Sequence, residues 1–220
     1  MPRIFDNIKD DLLPALRQTL QVSERADFCV GYFNLRGWKS IDGLIDQWDG
    51  GNAHQCRLLV GMQRLPHDDL REAYSLLPQD DQMSNQTVIR LKRRLAEEFR
   101  TQLTMGAPTD ADEAGLRKLS EQLKAGKVVV KLFLRHTLHA KLYLCFRPDT
   151  NNPITGFLGS SNLTFSGLSN QGELNVDVLD HDATKKLEEW FKDRWNDKWC
   201  VDITKELITC LLYTSDAADE

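Results

Sequence analysis

The chain has 220 residues, of which 41% are hydrophobic and 28% are charged, and its formal net charge at pH 7 is −5. This composition is typical of a soluble globular protein, and the length has room for one large domain. No apolar run is long enough to span a bilayer. The negative net charge argues against nucleic-acid binding over the whole surface, although it allows a local basic groove.

The cysteines and the N-terminal residues favour a cytoplasmic location. The N-terminus lacks the apolar segment of a signal peptide. None of the cysteines forms a Cys-x-x-Cys pair, and their number is odd, so the sequence predicts neither a disulfide framework nor a zinc site. They are Cys29, Cys56, Cys145, Cys200 and Cys210. We expect no metal and no cofactor.

The first 60 residues alternate helical and extended patterns, which indicates an α/β layer. Apolar residues follow helical spacing over residues 4–22, at Ile8, Leu12, Leu16 and Leu20. Pro14 must start a second helix or kink the first. The patterns that follow predict a strand at 28–33, a helix at 38–48, a turn at 49–52 and a strand at 57–61.

Residues 66–125 contain no strand pattern and are predicted to form a helical insertion. Its helical patterns cover 70–77, 87–103 and 112–124. A basic run in the second of these helices supplies weak candidates for substrate binding, namely Arg90, Arg93 and Arg94 together with Lys92. The alternative is an exposed helix in which these residues pair with Glu97 and Glu98 one turn on.

The last third of the chain returns to strands. They are predicted at 128–134, 138–146 and 173–179, with a loop at 147–153 and an amphipathic helix at 183–199. The apolar stripe of this helix is expected to pack in the core, and it consists of Leu187, Trp190, Phe191, Trp195 and Trp199. Residues 210–220 share no period with the rest, so we predict one domain at 1–209 and a non-native tail, the alternative being a frayed native terminus.

Chemistry-bearing residues concentrate between His139 and Glu173. Strand alternation would place His139 and Lys141 on one surface, roughly 6–7 Å apart, together with Tyr143 and Cys145. Glu173, Asn175 and Asp177 alternate in the same way, so two polar strand faces are expected to meet across a cleft. Between the two strands, Gly159-Ser160-Ser161-Asn162 supplies small hydrogen-bonding side chains beside a glycine.

Each of these residues has an ordinary alternative role. His139 alone is an unremarkable strand histidine, Lys141 alone is a solvated surface lysine, and Glu173 alone could merely begin a strand. A His-x-Lys pattern followed by Gly-Ser-x-Asn is expected only on the order of 0.01 times in a chain of this composition. The combination therefore favours a functional site.

With these motifs the chain resembles the phospholipase D superfamily. The longer match, which continues through Gly167-Leu168, Asn170 and Glu173-Leu174-Asn175, is similar to the nuclease branch. That branch includes the phospholipase D-like domains of restriction endonucleases and those at the N-terminus of some bacterial helicases. The resemblance implies a mixed sheet flanked by helices with a single copy of the motif.

The resemblance also implies roles for individual residues. His139 would attack phosphorus and become a phosphohistidine, and Lys141 would balance charge on the phosphoryl oxygens. Ser160 and Asn162 would donate hydrogen bonds to the phosphate. Glu173 would bind the far nitrogen of the His139 ring and hold its tautomer.

Two departures from the family pattern bear on the mechanism. An aspartate often lies five residues after the lysine, where this chain has Phe146. The chain also has only one His-x-Lys, although a second histidine must protonate the leaving oxygen. That histidine must come from a symmetry mate or from missing sequence, and we favour a homodimer that shares one active site.

The expected function is a metal-independent phosphodiesterase, a nuclease acting on DNA. One alternative is a non-catalytic DNA-binding module fused to a helicase motor. No nucleotide-binding loop of the Gly-x-x-x-x-Gly-Lys-Ser/Thr type is present, so such a motor would lie outside this chain. A true phospholipase is disfavoured because the sequence has no export signal and no amphipathic membrane anchor.

Overall fold

The computed structural model describes residues 2–61, 85–104 and 110–212, in which a mixed eight-stranded sheet is flanked by helices on both faces. Its strands are β1 (Ile4–Phe5), β2 (Arg25–Val30), β3 (Cys56–Val60), β4 (Val128–Phe133), β5 (Lys141–Phe146), β6 (Ile154–Gly159), β7 (Asn175–Val178) and β8 (Cys200–Asp202). Its helices are α1 (Leu12–Gln21), α2 (Leu35–Lys39), α3 (Asp42–Ile45), α4 (Asn85–Leu103), α5 (Asp110–Lys124), α6 (His181–Trp195) and α7 (Thr204–Leu212), with a π-helical segment at Ser166–Asn170. The predicted fold class is confirmed.

The strand order is β1-β7-β6-β5-β2-β3-β4-β8. Strands β2, β3 and β4 are parallel to one another, and every other neighbouring pair is antiparallel. The central strands consist almost entirely of apolar residues, because helices cover both faces of the sheet. Helix α6 covers one face, and α1, α4, α5 and α7 pack in the core on the other.

The prediction of a helix over residues 4–22 is wrong at its start. Residues Ile4–Phe5 form β1, and the helix begins at Leu12. The Asp6 carboxylate accepts hydrogen bonds from the backbone N–H groups of Ile8 and Lys9 at 2.9 and 2.7 Å, which compete with helix formation. Ile8 is 78% exposed and does not belong to the apolar stripe. Pro14 lies in the first helical turn, where its missing N–H costs nothing, so it neither breaks nor kinks α1.

Several other boundaries differ from prediction. The predicted helix at 38–48 is two short helices, α2 and α3, and strand β2 ends at Val30 instead of continuing to Phe33. Strand β5 begins at Lys141 and β7 at Asn175, so His139 and Glu173 precede their strands. The expectation that two polar strand faces meet across a cleft is also wrong for Tyr143, Cys145, Asn175 and Asp177, because these four residues are buried.

The predicted helical region is present as α4 and α5, and the pattern at 70–77 lies outside the described residues. Both helices join the main core through Leu95, Phe99 and Leu119. Helix α6 ends at Trp195, and its apolar residues Leu187, Trp190, Phe191 and Trp195 pack on the sheet as predicted. Trp199 lies beyond the helix and packs against the core on the other face, so its place in the stripe was wrong. None of the helices in the described ranges combines the length and apolar character that crossing a bilayer requires.

The C-terminal strand and helix were not predicted. Strand β8 pairs with β4, and α7 then runs through Cys210 to Leu212, with Leu211 buried. The first residues of the predicted tail therefore belong to the fold. Residues 213–220 lie outside the described residues, and the non-native origin of the tail stays a prediction.

Candidate active site

The sheet topology gathers the motif residues at one edge. Because β5 is antiparallel to β2 and β6, and β6 is antiparallel to β7, the ends of β2 and β6 lie beside the beginnings of β5 and β7. Lys141 pairs with Gly159, and Gly159 pairs with Asn175. We call this region the motif edge, and it comprises residues 31–34, 138–141, 159–162 and 173–175.

Gly31 forms the floor between Lys141 and Asn162. A Cβ atom on Gly31 would lie 3.7 Å from Lys141 Nζ and 3.4 Å from Asn162 Oδ1. It would also lie 2.8 Å from the carbonyl oxygen of Leu138, which is too close for a side chain. Because Gly31 has no side chain, the Lys141 ammonium and the Asn162 amide can both lie close to the end of β2. No motif in the sequence indicated this role for Gly31.

Asn162 is oriented by the backbone at the end of β2. Its Oδ1 accepts a hydrogen bond from the Tyr32 N–H at 2.9 Å. This bond uses the amide oxygen and leaves the amide nitrogen with two donors that no described residue accepts. The side chain is therefore held so that its N–H groups are available to an anion.

The Ser160–Ser161 backbone is clamped to the start of β7. Ser160 Oγ accepts a hydrogen bond from the Leu174 N–H at 2.9 Å. Asn175 is 2% exposed; its Oδ1 accepts from the Ser161 N–H at 3.2 Å, and its Nδ2 donates to Ser161 Oγ at 2.8 Å. The Tyr143 hydroxyl donates to the Ser161 carbonyl at 2.8 Å. Sequence reasoning missed Asn175 and Tyr143 as supports, because their partners depend on the strand register.

Lys141 and His139 are adjacent, but they are held differently. Lys141 begins β5, is half-buried, and donates from Nζ to the carbonyl oxygen of His139 at 2.7 Å. An ammonium has three donors, so two remain for a ligand. His139 is exposed, and its ring has no hydrogen-bond partner among the described residues. Its segment is anchored instead by Leu138, which is 5% exposed.

Glu173 lies beside the site without contacting the histidine. It is half-buried, and its backbone N–H donates to the carbonyl oxygen of Asp6 at 3.3 Å. Burial, and then the nearby Glu173 carboxylate, raise the pKa of Tyr143 well above its usual range. Within the described part of the chain no hydrogen bond joins Glu173 to His139, so the predicted carboxylate–imidazole contact is absent here and its role stays a prediction.

The basic run on α4 lies away from the motif edge. Arg93 forms an ion pair with Glu97 at 3.3 Å, and Arg94 forms one with Glu98 at 3.4 Å. These ion pairs, one helical turn apart, agree with the alternative of an exposed helix. The other end of α4 reaches the site, where the carbonyl oxygen of Gln102 accepts from the Tyr32 hydroxyl at 3.2 Å. At 1.5 Å per residue, the basic run lies about 12–18 Å from that contact. Its role in substrate binding stays a prediction.

Comparison with known protein families gives a match over most of the chain. A family model described as "Cardiolipin synthase, PLD-like domain" matches residues 16–195. The sequence matches no curated protein.

Three solved structures share the fold at low sequence identity. Nuc from Salmonella typhimurium, a phospholipase D family member, is 11% identical with a TM-score of 0.50, over 92% of this chain and 97% of that one. NucT from Helicobacter pylori is 12% identical with a TM-score of 0.50, over 92% and 98% of the two chains. Phosphatidylserine synthase from Haemophilus influenzae Rd KW20 is 15% identical with a TM-score of 0.52, over 99% of this chain but only 45% of that one. The family match covers most of the sequence, and the chain therefore belongs to the PLD-like domain family of the phospholipase D superfamily.

Proposed function

We propose that this protein is a metal-independent phosphodiesterase that cleaves DNA through a phosphohistidine formed on His139. The observation that carries the proposal is the grouping at the motif edge. An exposed imidazole with no partner among the described residues lies two residues from a cation, and that cation and the Asn162 amide both lie against Gly31. A nucleophile beside fixed donors suits attack on a phosphodiester.

The reaction would proceed by two displacements at phosphorus. A ring nitrogen of His139 attacks phosphorus and the bond to the leaving oxygen breaks, while a second histidine gives that oxygen its proton. Water then attacks the phosphohistidine, the P–N bond breaks, and the second histidine takes up the proton of the water. Lys141 and the Asn162 amide stabilise charge on the phosphoryl oxygens, and Ser160 holds the loop that presents Asn162. Glu173 would turn toward the ring as it becomes positively charged.

The second histidine would be the partner subunit's His139. The chain has a single His-x-Lys, so one copy supplies one nucleophile and no equivalent acid. A two-fold homodimer would supply both from the same residue. DNA is the favoured substrate because the stretch from His139 to Asn175 resembles the nuclease branch of the superfamily, and the domain would then serve within a nuclease, a restriction enzyme or a longer helicase-linked protein.

The decisive test is cleavage of plasmid DNA in excess EDTA by the wild-type chain and by His139→Ala. The wild-type protein should nick or linearise DNA, and the variant should not, while His181→Ala on the exposed start of α6 should behave as wild type. Acid-labile phosphate on the protein, present in the wild type and absent from His139→Ala, would identify the intermediate.

A folded dimer that cleaves no DNA under any condition would contradict the proposal. If that protein still bound DNA, with an affinity unchanged by His139→Ala and falling with added salt, it would instead be a DNA-binding module. Hydrolysis of lipid vesicles in place of DNA would identify a phospholipase.

A further inference from the structure

The π-helical segment Ser166–Asn170 packs directly against the motif edge. A Cβ atom on Gly167 would lie 2.8 Å from the carbonyl oxygen of Asn162 and 3.2 Å from its backbone nitrogen. The first turn of the segment therefore lies on the backbone of the residue whose amide faces Gly31 beside Lys141. π-Helical turns are rare, and they frequently occur at functional sites.

Asn7 holds this segment in place from below. Its Nδ2 donates hydrogen bonds to the carbonyl oxygens of Gly167 and Gln171 at 2.8 and 3.0 Å, and its Oδ1 accepts one from the Leu12 N–H at 3.0 Å. Asn7 is 8% exposed, and its φ of 54° is a left-handed conformation that residues other than glycine seldom adopt. Because these bonds tie the segment to the start of α1, its outer surface is preorganised for a ligand.

The outer surface of the segment has an exposed apolar side chain at each end. Phe165 immediately precedes the segment and is 46% exposed. Ile8 is 78% exposed, and its Cδ1 would lie 4.0 Å from a Cβ on Gly172, two residues after the segment. The exposed side chains between them are uncharged hydroxyl and amide groups. We call this set the π-helical surface, and it comprises Ile8, Phe165, Ser166, Asn170 and Gln171.

The charge distribution along the chain favours this surface for a polyanion. Residues 150–172 form the longest stretch of the sequence without a charged side chain, and the formal net charge of −5 is carried entirely outside it. That charge repels nucleic acid from much of the remaining surface. Ile8 is also uncharged, so a strand that leaves the Lys141 ammonium along the π-helical surface meets little repulsion.

We propose that the π-helical surface binds unpaired bases of a DNA single strand, with Phe165 stacking on one base next to the phosphate at the motif edge. The inference rests on the proposed function, because Lys141 and Asn162 are taken to hold that phosphate. An aromatic ring can stack on any unpaired base, whereas in a duplex the faces of the bases are covered by neighbouring pairs. The amides of Asn170 and Gln171 can donate to and accept from base edges.

A lipid bilayer fits the π-helical surface less well than bases do. Membrane-binding helices present a continuous apolar face together with lysine or arginine residues. Here Ile8 and Phe165 are separated by hydroxyl and amide side chains, and residues 150–172 contain no cation. The chemistry of alternating apolar and hydrogen-bonding groups suits bases, which have flat faces and polar edges.

The test measures the binding of a fluorescent single-stranded oligonucleotide of about 12 nucleotides, and of the matching duplex, by anisotropy in excess EDTA. Every protein carries His139→Ala so that the DNA is not cleaved. Phe165→Ala should raise the dissociation constant for the single strand about 10-fold and change that for the duplex by less than about twofold. Leu179→Ala is the matched control and should change neither constant. Leu179 is also 46% exposed, but it follows β7 at the end remote from the motif edge.

Three further measurements distinguish stacking from a merely structural role. Phe165→Trp should restore the affinity, because an indole also stacks on bases. An abasic site, moved along the oligonucleotide, should at one position remove the effect of Phe165→Ala. That effect should be equal at about 50 and 200 mM salt, since stacking releases no counterions. Circular dichroism checks folding, and Ile8→Asp replaces Phe165→Ala if the latter is not folded, with a similar loss expected for the single strand.

Several results would overturn the inference. Folded Phe165→Ala could bind the single strand as tightly as Leu179→Ala does, or lose affinity for single strand and duplex equally. Phe165→Trp could bind as weakly as Phe165→Ala. Binding to anionic lipid vesicles that depends on Phe165, with DNA binding unchanged, would identify a membrane contact in its place.

The binding measurements also separate this inference from the proposed function. If the wild-type chain cleaves DNA while Phe165→Ala leaves single-strand affinity unchanged, the proposed function stands and the π-helical surface fails as a base-binding site. If single-strand affinity depends on Phe165 but the wild-type chain cleaves no DNA, the base-binding site stands and the proposed function fails. A chain that neither binds nor cleaves DNA would overturn both.

Discussion

The two halves of the motif edge lie side by side but are held in different ways. In the loop at 159–162, Ser160, Ser161 and Asn162 each take part in a side-chain hydrogen bond to another segment of the chain. In the segment at 138–141, the exposed His139 ring has no such bond among the described residues. Among those residues, Lys141 Nζ donates only to the carbonyl oxygen of His139, within the same segment. The loop is fixed by contacts with other segments of the chain, whereas the His139 ring is held by no side-chain hydrogen bond to a described residue.

Because of this difference, substitutions in the loop at 159–162 should mainly change stability, and substitutions at His139 should mainly change the proposed activity. Substitutions that loosen the loop should lower the free energy of unfolding, since they leave buried polar groups unpaired. Under the proposed function, substitutions at His139 should abolish the reaction and leave that free energy almost unchanged.

Gly159→Ala should have the largest effect. A Cβ on Gly159 would overlap the Leu174 carbonyl oxygen and Asn175 Oδ1, where neither the backbone nor the clamped amide can move freely. We expect a loss of about 3 kcal/mol, measured by urea unfolding. Gly156→Ala in the same strand is the control, because its Cβ would lie 3.3 Å from the flexible end of Leu144 and at ordinary contact distance, 3.5 and 3.6 Å, from two atoms of Val178; it should cost less than about 1 kcal/mol. Equal losses for the two variants would show that the loop is not tightly clamped.

Asn175→Ala should lower the free energy of unfolding by about 2 kcal/mol, because the Ser161 N–H and hydroxyl lose their buried partner. A double-mutant cycle with Ser161→Ala should give a coupling of about 1 kcal/mol. The exposed Asn170 provides the control, as Asn170→Ala should change stability by less than about 0.5 kcal/mol. Additive effects of Asn175→Ala and Ser161→Ala would argue against the clamp.

Tyr143→Phe should cost about 1 kcal/mol at pH 7, since the Ser161 carbonyl loses the hydroxyl donor. Burial raises the pKa of Tyr143 in the folded protein, so the folded state holds the phenolic proton more tightly than the unfolded state does. The resulting stabilisation is complete below the unfolded pKa of about 10 and is lost as the pH rises above it. The stability gap between wild type and variant should therefore narrow between pH 7 and pH 11, and a constant gap would refute this account.

His139→Ala should have the smallest effect on stability, within about 0.5 kcal/mol, because the ring is exposed and makes no side-chain hydrogen bond to a described residue. Under the proposed function the same variant should reduce DNA cleavage on the order of 10⁴-fold or more. His181→Ala, another exposed histidine, should change neither quantity. A destabilisation above about 1 kcal/mol would mean that the ring contributes to packing, and the contrast between the halves would fail.

The strands of the sheet centre could be predicted because their signal is local. Apolar runs at 57–61 and 128–134 correspond closely to Cys56–Val60 and Val128–Phe133, since a strand buried on both faces needs apolar residues throughout. The prediction of a helix over 4–22 was wrong at its start because the Asp6 carboxylate accepts hydrogen bonds from the backbone N–H groups of Ile8 and Lys9, and these bonds compete with a helix in spite of the helical spacing at Ile8. The short strand Cys200–Asp202 gave no usable pattern at all, being only three residues long.

The residue types of the motif, in their order along the chain, were enough to predict the superfamily, because His-x-Lys followed by Gly-Ser-x-Asn resembles the pattern of that superfamily and seldom occurs by chance. The contacts among those residues were decided only in three dimensions. Gly31, Tyr32 and Asn175 take their roles from strands that are distant in sequence, and which residues face each other depends on the register of those strands. A shift of one residue would turn every side chain to the opposite face, and local spacing carries no information about that choice.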